Sequence, residues 1–177
     1  LVFHIIGEPA TLHPTNEVAD IANFIFQYTH CFIISKDLEN LQLRPGMVTA
    51  LPEISEDQLQ FHYTLRNDIT WDDGSPLSAK DVEFSMKVYT CPLVENPNAK
   101  SYFNNLDNVR ISDTDPLKFT MEMRERYVQN ISFLTDYPIL QAQFYDPEGV
   151  MKDFKITDFH RPDFMPPAAL KKWADDF

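Results

Sequence analysis

The sequence predicts a mixed α/β fold, and three observations carry that reading. Residues 59–66 and 117–123 alternate apolar and polar side chains, the period of strands with one buried face. Residues 17–32 place Val18, Ile21, Ala22, Ile25 and Phe26 at helical spacing, and Ser78 followed by Asp81 has the form of a capped helix start. Four glycines stand against thirteen prolines, a composition of fixed turns that offers no phosphate-cradling glycine loop.

Taken in chain order, residues 1–6 (LVFHII) are almost continuously apolar and β-branched, as in a strand covered on both faces. Gly7 and Pro9 close it. The loop Thr11-Leu12-His13-Pro14-Thr15-Asn16 leads into the first helix, with Asn16 as its cap and Glu17 and Asp20 in the first turn, where the helix dipole favours a carboxylate. Residues 31–35 read as a short strand, 38–43 as its hairpin partner, and Arg44-Pro45-Gly46 as a turn.

Leu59, Phe61, Tyr63 and Leu65 then form the apolar face of a strand that stops before Trp71-Asp72-Asp73-Gly74-Ser75-Pro76. A helix is expected from Ser78 to Thr90, where Cys91-Pro92 ends it because proline drives its predecessor out of the α region. Asn96-Pro97-Asn98 reads as a loop and residues 101–106 as a short helix. Val109 and Ile111, the turn Asp113-Thr114-Asp115-Pro116, and Leu117, Phe119, Met121 and Met123 make a hairpin. Residues 127–134 read as a short helix, 137–140 as an extended exit and 168–177 as a terminal helix, after a stretch rich in charge and proline.

The net charge of −12 repels nucleic acid and anionic membranes. No apolar run approaches the roughly 20 residues that span a bilayer. No basic start leads into an apolar run, so an exported form would already have lost its leader. Cys31 and Cys91 match no zinc or redox spacing, and both a single disulfide and two buried thiols are open. The five histidines are scattered, so no metal site is expected. Asp72-Asp73 reads as a solvated turn, not as an acid/base pair, which needs one carboxyl in an apolar pocket. No serine lies in a nucleophile elbow. Phe24, Phe26, Tyr28, Phe32, Tyr102, Phe103 and Tyr127 read as core, with cleft lining as the other reading.

Thr64-Leu65-Arg66, Trp71-Asp72-Asp73-Gly74 and the helix start Ser78-Ala79-Lys80-Asp81-Val82-Glu83-Phe84-Ser85 together resemble the family 5 extracellular solute-binding proteins. These are the oligopeptide, dipeptide and nickel receptors of bacterial ABC importers. Thr11-Leu12-His13-Pro14 and Arg44-Pro45-Gly46-Met47-Val48-Thr49-Ala50 follow the family order, with His13 and Val48 as mild departures.

The resemblance implies a type II periplasmic-binding-protein-like fold. Residues 1–30 and 136–177 would be part of lobe I, and 31–135 an inserted α/β domain. The family's second lobe would lie beyond this N-terminal portion. It implies a receptor in the periplasm or at the cell surface, as in lipid-anchored members, that carries a peptide or similar small solute to a membrane permease. No enzyme activity, cofactor, metal or nucleic acid is implied, and a monomer is expected.

Within the motif, Leu65, Arg66, Trp71, Asp73, Gly74 and Asp81 would organise the insert. Solute contacts would come from Asn16, Glu17, Val18 and Tyr102. Two other classes compete. An extracytoplasmic hydrolase would need a carboxyl with a strongly raised pKa in a cleft. A family-derived interaction module would need an exposed apolar patch.

Overall fold

The structure, a computed structural model, describes residues 7–9, 11–15, 20–37, 39–96, 99–135 and 137–177. The expected strand over 1–6 and the Asn16 cap lie outside the described residues. Helix α1 spans Asp20–Thr29 and buries Ala22 and Phe26. Phe24 and Tyr28, half a turn away, stand exposed and meet edge to face at 5.3 Å.

A two-stranded antiparallel ladder follows, β1 (Ile34–Lys36) against β2 (Leu43–Pro45). The connection between them is longer than the sequence suggests, and the partner strand, expected over 38–43, comes later. Asp37 accepts the Glu39 and Asn40 amides on Oδ1 and so closes the chain before residue 43, which draws Arg44 and Pro45 out of the expected turn and into the strand. Gly46 is required by close approach: its amide donates to the Ile33 carbonyl at 3.1 Å, and a Cβ there would run into the Phe32 carbonyl oxygen.

The main sheet is antiparallel with order β3 (Glu53–Ile54), β4 (Gln60–Thr64), β6 (Lys118–Met123), β5 (Leu106–Ile111). The alternation seen in the sequence sets its register. Phe61 faces Met121, and Tyr63 faces Phe119 with rings stacked at 5.0 Å, all on the buried side. His62 and Thr120 pair on the other side through a 2.9 Å bond between His62 Nδ1 and Thr120 Oγ1. That polar side carries an open groove of about 650 Å³.

Helix α2 (Ala79–Thr90) begins after Ser78, as expected, and stops at Cys91. Every residue of α2 except Lys80 and Glu83 is buried, because the helix lies between two apolar clusters. Val82, Met86 and Tyr89 pack with the sheet. Phe84, Val88 and Cys91 pack with Leu140, Met151, Phe159, Leu170 and Trp173.

Helix α3 (Ala99–Phe103) precedes β5. Residues 127–134 do not form the expected α-helix: a turn runs into a 3-10 segment, Ser132–Thr135. Asn130 and Asn105 bind each other and the Glu125 carbonyl, and this polar bonding replaces helical pairing. Three short helices, α4 (Ala142–Tyr145), α5 (Ile156–Phe159) and α6 (Ala168–Asp176), complete the chain, the last where expected.

Of the aromatics read as core, Phe26 and Phe103 are buried and Phe32 is partly exposed. Phe24, Tyr28, Tyr102 and Tyr127 are exposed, which corrects the core reading for those four. Phe24, Tyr28 and Tyr102 sit on helices that present only one face to the interior, and Tyr127 lies in the loop after β6. Cys91 is buried and Cys31 exposed, and both are free thiols, so the buried reading holds for one of the pair.

Candidate functional site

The local sequence sets out an aromatic run from core to surface. Asn96 Oδ1 accepts the Ala99 amide at 3.0 Å and starts α3, which is short enough to bury Phe103 completely while leaving Tyr102 56% exposed. Tyr89 stacks on Phe103 at 5.1 Å, and both rings meet the half-buried Tyr137 edge to face, at 5.2 and 5.0 Å. Tyr137 in turn meets Tyr102 at 6.0 Å with a 55° tilt. Of the expected solute contacts, Tyr102 is thus a surface ring on this run, while Asn16, Glu17 and Val18 lie outside the described residues. Just before them, Thr15 is buried, with its Oγ1 3.1 Å from His13 Nδ1. The His13 ring packs edge-on to Phe177 at 4.7 Å, and burial lowers its pKa more than the Phe177 backbone raises it.

The motif residues make internal bonds. Leu65 is buried and its amide donates to the Leu117 carbonyl. Arg66 forms a two-pronged pair with Asp68 at 2.9 and 2.7 Å on the surface. Gly74 takes φ +84° and donates to the Trp71 carbonyl, closing the turn. Asp73 accepts the Ser75 hydroxyl and amide on Oδ1 and the Gln141 side-chain amide on Oδ2. These bonds hold its carboxyl below the ordinary range, the Ser75 hydroxyl first. Asp81 Oδ2 accepts the Ser78 amide and hydroxyl, while Oδ1 accepts the Ala142 amide at 3.0 Å. Trp71 packs against the sheet cluster between two cavities of about 450 and 420 Å³.

Asp81 belongs to a set that composition alone does not reveal. Tyr89 donates its hydroxyl to the Pro138 carbonyl at 2.6 Å, Ser85 Oγ accepts the Leu140 amide at 2.8 Å, and Asp81 takes Ala142. Four helical residues advance about 6 Å and two extended residues about 6.6 Å, so positions 89, 85 and 81 stay in step with 138, 140 and 142 along antiparallel paths. Lys87 adds a bond to the Met151 carbonyl. Polar residues four apart on an otherwise buried helix are the sequence signal for this ladder.

Among the described residues, no group of three or more His, Cys, Asp or Glu is arranged to hold a metal, and no helix is long and apolar enough to cross a membrane. Among the described residues, the shifted side-chain carboxyls, Asp37, Asp57, Asp68, Asp73 and Asp163, all shift down.

The sequence model of the bacterial extracellular solute-binding proteins, family 5 Middle, matches residues 42–166. The chain belongs to this family. Protein XP55 of Streptomyces lividans is 32% identical over 83 residues, which cover 46% of this family 5 chain and 14% of that protein. NikZ of Campylobacter jejuni, solved in complex with Ni(L-His), superposes with TM-score 0.65 at 22% identity, covering 85% of this chain and 28% of that one. The oligopeptide-binding protein AppA of Bacillus subtilis, solved with a nonapeptide, gives 0.69 at 18% identity, with coverages of 90% and 30%. The murein tripeptide binding protein MppA of Escherichia coli gives 0.66 at 17%, with coverages of 92% and 33%. The chain therefore spans well under half the length of these relatives. Its fold is that of type II periplasmic binding proteins of family 5, mixed α/β as expected.

Proposed function

We propose that this chain is part of the solute-binding component of an ABC importer, working outside the cytoplasm, held at the membrane by a lipid anchor or free in the periplasm, and passing its cargo to a membrane permease. The observation that carries the reading is the family match over residues 42–166, and the type II fold around it supports it. The cargo is a peptide or a similar small solute. Residues 1–30 and 136–177 serve as part of lobe I and 31–135 as its insert, and Asn16, Glu17, Val18 and Tyr102 contact the solute. Binding proceeds by lobe closure and main-chain hydrogen bonding, without chemistry on the solute. Asp73 spends its acceptor sites on Ser75 and Gln141 within its turn, and the lowered pKa that results is the opposite of what the acid of a hydrolase needs, so Asp73 is not a candidate for that role.

A thermal-shift screen of a peptide library tests this. A ligand at a hundred times its Kd stabilises the folded state by about 2.7 kcal/mol, a rise in Tm of a few degrees in a protein larger than this chain. The screen uses the full-length protein with its second lobe, and no rise with any peptide or with a nickel–histidine chelate overturns the peptide cargo and points to a different solute class.

A further inference from the structure

The cavity of about 450 Å³ beside Trp71 lies between helix α2 and residues 141–152, and Trp71, Phe84, Ile111 and Met151 give it apolar walls. Three carboxylates and three ammonium groups also line it. The carboxylates are occupied within the chain: Asp81 takes the Ser78 and Ala142 amides, Asp146 takes the Val150 and Met151 amides at 2.8 Å each, and Glu83 pairs with Lys87 at 2.8 Å. The ammonium groups are not. Lys80 and Lys152 stand exposed, and neither has an ion-pair partner among the described residues. Lys87 is buried, with a side chain only 8% exposed, and its Nζ donates to Glu83 and to the Met151 carbonyl, which uses two of the three donors of an ammonium group. A buried charge with a donor left over calls for an acceptor.

We propose that this cavity binds a small organic carboxylate, which accepts from Lys87, has Lys80 and Lys152 at its rim, and rests an apolar body on Trp71 and Phe84. Apolar walls favour a ligand with apolar surface to bury, which inorganic phosphate lacks. The net charge of −12 opposes any anion at long range, but salt at about 0.15 M screens that repulsion beyond roughly 8 Å, whereas the Lys87 bond is made at contact. Tyr102 is not among the walls, so the site is separate from that part of the proposed solute face. It does not rest on the receptor reading.

The test is a fluorine NMR titration of the full-length protein with para-fluorobenzoate, and with para-fluorobenzamide as the uncharged control. The benzoate resonance broadens and shifts on binding, and the benzamide resonance does not. Lys87→Met weakens benzoate binding about ten-fold, because it removes a charge-assisted bond. Lys80→Gln together with Lys152→Gln weakens it only about two-fold, since exposed charges act through solvent. Ala142→Leu keeps every charge and the backbone amide that Asp81 binds but narrows the cavity, and it also weakens benzoate binding about ten-fold, so the outcome does not depend on how well Lys87→Met folds. No binding of the benzoate at millimolar concentration overturns the inference. So does binding to Lys87→Met and Ala142→Leu as tight as to the parent, which puts the acid at another site. Equal binding of the benzamide overturns the charge class. The receptor reading stands in each of these cases.

Discussion

The motif region from Leu65 to Asp81 and the aromatic face at Tyr102 and Tyr137 differ in where their interactions point. Asp73 and Asp81 spend their acceptor sites on Ser75, Gln141, Ser78 and Ala142, all within the chain. Tyr102 leans on the Tyr137 ring and leaves more than half of its surface open. Residues that satisfy each other internally need particular partners at particular spacings, which makes them diagnostic of a family. Residues that face outward are bound only by what they meet, and they vary in meaning with the solute. The family signature and the proposed solute face therefore occupy different parts of one small structure.

That contrast is sharpest in stability. Tyr89→Ala removes a fully buried ring and the Pro138 bond together, and is expected to cost about 3–5 kcal/mol in urea unfolding. Asp81→Ala removes the carboxylate that binds back to the Ser78 cap and strands the Ala142 amide, for about 2 kcal/mol by the same measurement. Tyr89→Phe keeps the ring and loses only the hydroxyl bond, about 1 kcal/mol. Tyr102→Ala is expected within about 0.5 kcal/mol of the parent while weakening solute binding. A Tyr102→Ala cost equal to that of Asp81→Ala breaks the comparison.

Asp73 supplies a pH test. Its folded pKa is depressed, chiefly by the Ser75 hydroxyl, so the unfolded chain binds this proton more readily. The associated stability is present above the unfolded value of about 4 and is lost as pH falls through the lower folded value. Asp73→Asn should flatten that part of the acid limb of a urea-midpoint profile, and an unchanged limb would count against the Ser75 and Gln141 bonds.

Much of the architecture is legible in the sequence. The strand carrying Phe61 and Tyr63, the Gly74 turn, the α2 start at Ser78 and its end at Cys91, and the hairpin from Val109 to Met123 all rest on local rules that act within a few residues. The elements that depart from expectation depend on more distant or competing bonds. The β1–β2 turn shifts because the Asp37 carboxylate captures two amides, and residues 127–134 lose their helix to an asparagine network reaching back to Asn105. The exposure of Phe24 and Tyr28 is readable from the helical period that buries Ala22 and Phe26. Tyr137 is not: it reads as one residue of an extended exit until the Tyr89–Pro138 bond shows what holds it.

By itself, the sequence determined the mixed α/β class, the order of the main elements and the family signature, because period, capping and turn chemistry act over short distances. The tertiary structure alone decided that α2 would be shared by two apolar clusters and that positions 81, 85 and 89 would step along residues 138–142. The spacing of Asp81, Ser85 and Tyr89 marks the helix side of that ladder, but its partner is an extended segment some fifty residues away whose rise must match the helix, and no local pattern names it.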